Sequence, residues 1–151
     1  MLTSSPTTTP LLNAKEAYRQ WARVYDAEQN PVLKLEERSL QVLLPDLAGR
    51  AVLDLGCGTG RWLEKFAVQN TQSLLGVDAS PEMIAIARER MGDRATIVCS
   101  DWESLEHPAD SVDIVVCSFL LGYVADPEGL ALRIRTLLRA GGVLFPAPPA
   151  G

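Results

Sequence analysis

The sequence contains few of the residues that build metal centres and disulfide frameworks. It has one histidine and three cysteines, Cys57, Cys99 and Cys117, which are far apart along the chain. With this inventory we expect neither a metal site nor a Ser-His-Asp catalytic constellation. Because the cysteines lie in apolar, strand-like segments and are odd in number, we expect buried, reduced thiols.

Basic residues and long apolar runs are also scarce. The 14 Lys and Arg are outnumbered by 19 Asp and Glu, which gives a net charge of −5. No nucleic-acid partner is expected, because phosphate binding needs a basic surface. No apolar run approaches the roughly 20 residues of a membrane-spanning helix, and the first residues lack the basic and apolar regions of a secretory signal. The composition predicts a soluble, cytoplasmic, single-domain protein with no membrane span.

The composition of the two ends predicts the limits of the folded domain. Ser, Thr and Pro dominate residues 1–12, which we expect to form a disordered tail. Residues 146–151 contain three prolines, which cannot propagate a helix or a sheet ladder, and are expected to form a Pro-rich tail. The folded core is therefore predicted over residues 13–145.

Short apolar runs alternate with helical patterns after residue 50, as expected of βαβ units that form a parallel sheet. The predicted strands are Ala51–Leu55, Ser73–Val77, Ala95–Cys99, Val112–Cys117 and Val143–Phe145. Apolar spacings of three and four residues predict helices near residues 14–25, 31–45, 61–69, 81–91 and 126–139.

Three further details of the helices follow from the sequence. The second helix is expected to bury Val32, Leu35, Leu40, Leu43 and Leu44. Ser80 followed by Pro81 is a strong N-terminal capping signal. The last helix is expected to end at Arg139, with Gly141 or Gly142 in a left-handed turn.

The segment Val52–Gly60 is the most informative part of the sequence. A hydrophobic strand is followed by glycine at alternate positions, Gly56, Gly58 and Gly60, and then by a helix. Glycine allows the backbone to approach a ligand closely and to adopt positive φ angles. The alternative is a tight turn without a ligand, but three glycines after the first strand of an α/β pattern favour a binding site.

This turn does not fit a dinucleotide site. A G-x-G-x-x-G fingerprint requires glycine at the position of Arg61. Asp54 lies two residues before Gly56, where a carboxylate repels a pyrophosphate but suits the ammonium group of a methionine moiety. A nicotinamide-dependent oxidoreductase is therefore disfavoured.

The segment Asp54–Gly60 resembles the first motif of class I S-adenosylmethionine-dependent methyltransferases. The resemblance, which is to the small-molecule type, covers about residues 15–145. It implies a doubly wound, Rossmann-like α/β fold with a parallel sheet in strand order 3-2-1-4-5. It also implies the cofactor S-adenosyl-L-methionine and in-line methyl transfer to a small-molecule acceptor. Such catalysis depends on positioning and desolvation, so no catalytic residue is expected.

The resemblance assigns the first cofactor-binding residues to the ends of the first two strands. It places Asp54, Gly56, Cys57 and Gly58 at the methionine end and the glycine turn. Asp78, which lies 22 residues after Gly56, matches the acid that binds both ribose hydroxyls. The alternative for Asp78 is a turn residue that flanks a helix.

Four residues are assigned to the adenine by the same resemblance. Ala79 and Met83 flank the ring, although Met83 also suits a plain core position. Asp101 matches the residue that accepts a hydrogen bond from the adenine amino group. Trp102 either packs on the ring or covers the core, and the sequence leaves these two alternatives open.

Two residues are assigned to the methyl-transfer end of the site. Ser118 lies in the segment that lines the methyl-transfer face, and Tyr25 matches an aromatic residue that closes over the methionine end. Tyr25 also fits an ordinary core position. His107 falls in a polar loop, where we expect an exposed spectator and not a general base.

The family normally continues past the fifth strand with another helix and two further strands. The sequence therefore predicts a C-terminally truncated domain that lacks the usual last two strands. An exposed fifth strand favours self-association. The alternative function is a methyltransferase-like module that binds the cofactor or a partner without turnover.

Overall fold

The computed structural model describes residues 31–117 and 124–146, together with Gln20 and Val24. The predicted roles of Tyr25 and Ser118 lie outside these residues, as does most of the helix predicted over residues 14–25. Within the described ranges, no helix has the length and apolar character needed to cross a bilayer.

The described elements alternate between helix and strand. In chain order they are α1 (Pro31–Leu43), β1 (Ala51–Leu55), α2 (Arg61–Ala67), β2 (Ser73–Asp78), α3 (Pro81–Met91), a 3₁₀ turn (Gly92–Arg94), β3 (Thr96–Cys99), β4 (Val112–Cys117), α4 (Pro127–Leu137) and β5 (Leu138–Pro146). The strands form one sheet in the order β3-β2-β1-β4-β5, and all neighbouring strands are parallel. This confirms the predicted α/β fold and strand order.

Two hydrophobic clusters cover the two faces of the sheet. Alternate residues of β1 enter different clusters, because successive side chains of a strand point to opposite faces: Val52 belongs to the first and Leu53 to the second. The first cluster contains the buried residues of α2 together with Ile84 and Met91 of α3, and the second contains the buried residues of α4. The result is a three-layer domain in which the strand order reverses beside β1.

The boundary between the last helix and the last strand differs from the prediction. The helix ends at Leu137, and Leu138 already has an extended backbone and pairs with Val112. Residues 139–142 then form an irregular insertion before pairing resumes between Val143 and Ile114. Gly141 has φ +78°, so the predicted left-handed glycine lies within β5 and not between helix and strand.

The apolar side of α1 also differs from the prediction. Leu40 is buried as expected, but Leu35 is 66% and Leu43 62% exposed. Leu47, which follows the helix, is fully buried in the first cluster. Among the described side chains of this helix, Leu40 packs into the first cluster and Glu37 pairs with Lys65 of α2.

The smaller boundary predictions are accurate to within two residues. The α2 helix ends at Ala67, two residues before the predicted limit. The α3 helix begins at Pro81, and the Ser80 hydroxyl accepts the Met83 N–H as an N-cap, as predicted.

Asp113 connects three strands at the amino end of the sheet. Its Oδ2 atom accepts the Ala51 N–H at 2.8 Å and a hydrogen bond from Arg139 at 3.0 Å. These interactions, the Ala51 N–H above all, lower the pKa of Asp113 despite some desolvation. They join β1, β4 and the start of β5 at this end of the sheet.

Candidate functional site

The glycine turn after β1 lies against the end of β2. The backbone N–H groups of Gly56 and Cys57 both donate to the Val77 carbonyl, at 2.7 and 2.9 Å. The φ angles of Gly56, Gly58 and Gly60 are +84°, +55° and +82°. A side chain at these positions would be strained, because L-residues rarely adopt positive φ.

The space around the glycines shows what each position requires. A Cβ on Gly58 would meet only the Met83 sulfur, at 4.0 Å, so the conformation and not crowding requires glycine there. A Cβ on Gly60 would lie 3.4 Å from Ala87, so this glycine lets α2 and α3 pack closely. On β2, a Cβ on Gly76 would collide with Leu63, which shows how tightly α2 covers the sheet.

Asp78 occupies the carboxyl end of β2 and contacts two backbone segments. Its Oδ2 accepts the Gly58 N–H at 2.9 Å, and its Oδ1 accepts the Ser80 N–H at 2.9 Å. Burial raises the pKa of Asp78, whereas the two N–H donors lower it and partly oppose that shift. The carboxylate is thus oriented between the glycine turn and the N-terminus of α3.

Asp54 lies near the centre of the sheet. It is 1% exposed and lies in register with Gly76 of β2 and Val116 of β4. Burial, and then the charge of Asp54, raise the pKa of Cys117 to about 12, and the same two causes raise the pKa of Cys57. A buried carboxyl group therefore lies where the strand order reverses.

Two of the four residues assigned to the adenine have contrasting positions after β2. Met83 is 1% exposed and faces the Gly58 turn, whereas Ala79 is exposed. Ala79 follows Asp78 directly in the chain, and Met83 lies in the first turn of α3. Their assignment to the adenine stays a prediction.

The other two residues assigned to the adenine follow β3. Asp101 is exposed, and its Oδ1 accepts the Ser104 N–H at 2.7 Å, which lowers the pKa of Asp101. Trp102 is half-buried against the second cluster, with Cη2 3.2 Å from the position that a Cβ on Gly129 would take. The structure therefore shows a packing role for Trp102 against the first turn of α4.

The cysteines are buried with one exception. Cys57 and Cys117 are buried, but Cys99 at the end of β3 is exposed. The prediction of three buried thiols is therefore wrong for Cys99, because β3 lies at the edge of the sheet that the described residues form and is paired there on one side.

His107 is less exposed than the sequence predicted. It is half-buried, and desolvation together with the nearby charge of Arg133 lowers its pKa. Arg133 itself donates to the Leu105 carbonyl. His107 therefore lies beside a structural contact between its loop and α4. In the part of the chain that the structure describes, no group of three His, Cys, Asp or Glu could hold a metal ion.

Sequence reasoning missed the contacts that join these loops. The bond between Asp78 and Gly58 links residues 20 positions apart, and the Asp78 carbonyl accepts the Ser100 N–H at 3.0 Å. Only the bond between Asp78 and Ser80 could be predicted from the local sequence, since an Asp side chain commonly accepts the backbone N–H two residues ahead.

Known proteins with similar sequences and structures include several methyltransferases. A family model described as a methyltransferase domain matches residues 52–142. The ubiquinone biosynthesis O-methyltransferase of Coxiella burnetii is 34% identical over 120 residues, which cover 77% of this chain and 49% of that protein.

Solved structures give the same result. An S-adenosylmethionine-dependent methyltransferase from Mesorhizobium loti has a TM-score of 0.69 and 32% identity, covering 74% of this chain and 52% of that one. DhpI in complex with S-adenosylhomocysteine (SAH) has a TM-score of 0.72 and 25% identity, covering 86% and 64%.

These matches, together with the fold, define the class of protein. The chain belongs to the class I S-adenosylmethionine-dependent methyltransferases. It spans about half the length of the curated O-methyltransferases that it matches.

Proposed function

We propose that this chain binds S-adenosylmethionine and supports methyl transfer to a small-molecule acceptor in the cytoplasm. The observation that carries the proposal is the orientation of the Asp78 carboxylate between the Gly58 turn and the N-cap of α3. A carboxylate held at the end of the second strand is suited to bind the two hydroxyls of a ribose. The family membership and the SAH complex of DhpI support the choice of cofactor.

The charges of the site agree with this ligand. Asp54 is buried at the end of β1, Asp78 follows at the end of β2, and Asp101 follows β3. Negative charge at the first of these positions favours the cationic methionine end of the cofactor and disfavours a pyrophosphate. In this proposal Asp54 faces the ammonium group, directly or through water, and Asp101 faces the adenine amino group.

The proposed reaction needs little chemistry from the protein. When bound, the cofactor supplies an electrophilic methyl group on a sulfonium, which a nucleophilic atom of the acceptor displaces in line. The residues of this chain bind and orient the reactants: the Gly58 turn approaches the ligand with its backbone, and Asp78 holds the ribose. Correct positioning can supply most of the rate enhancement. No catalytic side chain is proposed.

The O-methyltransferase of ubiquinone biosynthesis that resembles this chain supports a small-molecule acceptor. The net charge of −5 argues against a nucleic-acid acceptor. An alternative function is binding of the cofactor or a partner without turnover, and the exposed side chains of Val143 and Leu144 on the edge strand of the described sheet support a partner. An assay for SAH formation with candidate small-molecule acceptors distinguishes the two functions.

Cofactor binding is tested by calorimetry with SAH and NAD. We expect SAH to bind and NAD not to bind. Asp78→Ala should weaken SAH binding by about 1.5–3 kcal/mol, the range for hydrogen bonds to a charged group. Asp46→Ala is the matched control, because Asp46 also accepts a backbone N–H, from Ala48 at 3.0 Å, but lies in the exposed loop before β1. Unchanged affinity in Asp78→Ala would disprove the ribose assignment, and tight NAD binding would disprove the choice of cofactor.

His107 is expected to be dispensable for methyl transfer. His107→Gln should leave SAH affinity unchanged and turnover within a few-fold of the parent chain, because the residue lies beside the contact that joins its own loop to Arg133 of α4 and is not among the residues assigned to the cofactor. A loss of turnover of about 10²–10⁴ with intact SAH binding is the signature of a general base, and that result would refute the spectator role.

The edge of β5 is proposed to cause self-association. This strand is at the edge of the described sheet, and Val143 and Leu144 are 41% and 36% exposed. Exposed apolar edges pair readily with other chains, and a charge on the edge prevents this. We expect concentration-dependent association in sedimentation, reduced by Val143→Lys at unchanged circular dichroism. A chain that is monomeric at every concentration would contradict the proposal.

A further inference from the structure

Asp78 contacts each of the three loops that follow β1, β2 and β3. Its carboxylate accepts the Gly58 N–H from the first loop and the Ser80 N–H from the second, both at 2.9 Å. Its backbone carbonyl accepts the Ser100 N–H from the third at 3.0 Å. The three loops that contain the proposed cofactor residues therefore share one partner.

We propose that Asp78 is a positioning residue whose carboxylate holds the first two of these loops in their relative places before the cofactor binds, in addition to its proposed contact with the ribose. Each carboxylate oxygen has two acceptor positions. On each oxygen one of these positions accepts a backbone N–H from a loop. The second position on each oxygen can therefore accept a hydrogen bond from one ribose hydroxyl. The ribose contact rests on the proposed function, whereas the loop contacts do not.

Asp78→Asn tests the loop contacts, because it removes one acceptor oxygen and the charge while the shape of the side chain is preserved. The asparagine retains one oxygen, so its amide NH₂ must face the N–H of either Gly58 or Ser80. Two donors then oppose each other, and the remaining bond loses its charge assistance. One of the two loops loses its acceptor while the residue volume hardly changes.

Backbone amide hydrogen exchange in the protein without ligand tests the loop contacts directly. In Asp78→Asn, exchange at Gly58 or Ser80 should become faster by on the order of tenfold to a hundredfold, the equivalent of one hydrogen bond to a charged group. Asp46→Asn is the control, and it should affect the Ala48 amide but neither of these two. Parent-like exchange at both Gly58 and Ser80 would overturn the proposal.

A second variant provides the same test if Asp78→Asn does not fold. Asp78→Glu keeps the charge and both acceptor atoms but displaces them by one methylene group. Faster exchange at the same two amides is expected, by a smaller factor than in Asp78→Asn. If Asp78→Asn loses the parent circular dichroism, parent-like exchange in a folded Asp78→Glu would equally overturn the proposal.

The affinities for SAH and for its 2′,3′-dideoxy analogue distinguish the positioning role from the ribose contact. If Asp78 only bound the ribose hydroxyls, its substitution would not change the affinity for the analogue. The analogue has no hydroxyl for Asp78 to bind, yet Asp78→Asn should bind it roughly tenfold more weakly than the parent chain, because the loops are displaced. Equal affinity of both proteins for the analogue would overturn the positioning role. If the parent binds neither compound, the proposed function fails and amide exchange alone decides this inference.

Discussion

Phe66→Ala is expected to lower the free energy of unfolding by about 3–5 kcal/mol, the usual cost of removing a buried phenylalanine. The side chain is fully buried in the first hydrophobic cluster, and its ring is 5.7 Å from that of Trp62. It holds α2, the helix that continues the glycine turn, against the sheet. Because small domains are stable by only about 5–15 kcal/mol, this one change should remove a large part of the total.

Urea unfolding followed by circular dichroism measures this loss. The matched control is Val68→Ala, two residues further on, where the side chain is 76% exposed. That substitution should change stability by no more than about 0.5 kcal/mol. Equal, small effects of the two substitutions would mean that α2 does not pack on the sheet as described.

Much of the fold was predictable because each strand is a separate apolar run. Four strands were predicted within one residue of their limits, since burial on both faces of a parallel sheet selects continuous apolar segments. The fifth was not, because Leu138 continues the apolar spacing of α4. Its strand conformation depends on pairing with Val112, which is 26 residues away. No local pattern contains that information.

The α1 helix shows the same limit of prediction from local sequence. Periodicity correctly predicted a helix after Pro31, but the choice of its buried leucines depends on where the helix contacts the domain. Leu40 and Leu47 are buried, and Leu35 and Leu43 are exposed. The sequence predicts that an apolar side exists, whereas packing against α2 decides which part of it is covered.

For the candidate site, the assignment of residues to the cofactor stays a prediction, and the contacts among these residues could not be predicted from the sequence. The resemblance assigned Gly56 and Asp78 to one site, and the structure places them at the ends of adjacent strands. The bonds from Asp78 to Gly58 and Ser100 cross between strands, so they could be seen only after the sheet was assembled. The predicted burial of Cys99 failed for a related reason, since strand order determines which strand is at an edge.

Thiol labelling of the native protein should show one fast and two very slow cysteines. Cys99 is exposed, whereas Cys117 is fully buried and Cys57 is 7% exposed. Burial and the charge of Asp54 raise the pKa of Cys117 to about 12 and also raise the pKa of Cys57, where Asp78 adds to the shift. Both buried thiols are therefore protonated as well as inaccessible.

The size of the difference follows from the reactive species, which is the thiolate. At about pH 8, a thiol with an ordinary pKa of about 8.5 is roughly one quarter ionised, whereas one with a pKa near 12 is ionised to about 10⁻⁴. Ionisation alone thus predicts that Cys117 reacts about three orders of magnitude more slowly than an ordinary thiol, and burial slows it further. A chromogenic disulfide reagent should record one rapid equivalent in the native protein and three in denaturant. Cys99→Ser should abolish the rapid phase, and a rapid phase that survives in this variant would show that the carboxyl end of β1 or β4 is open to solvent.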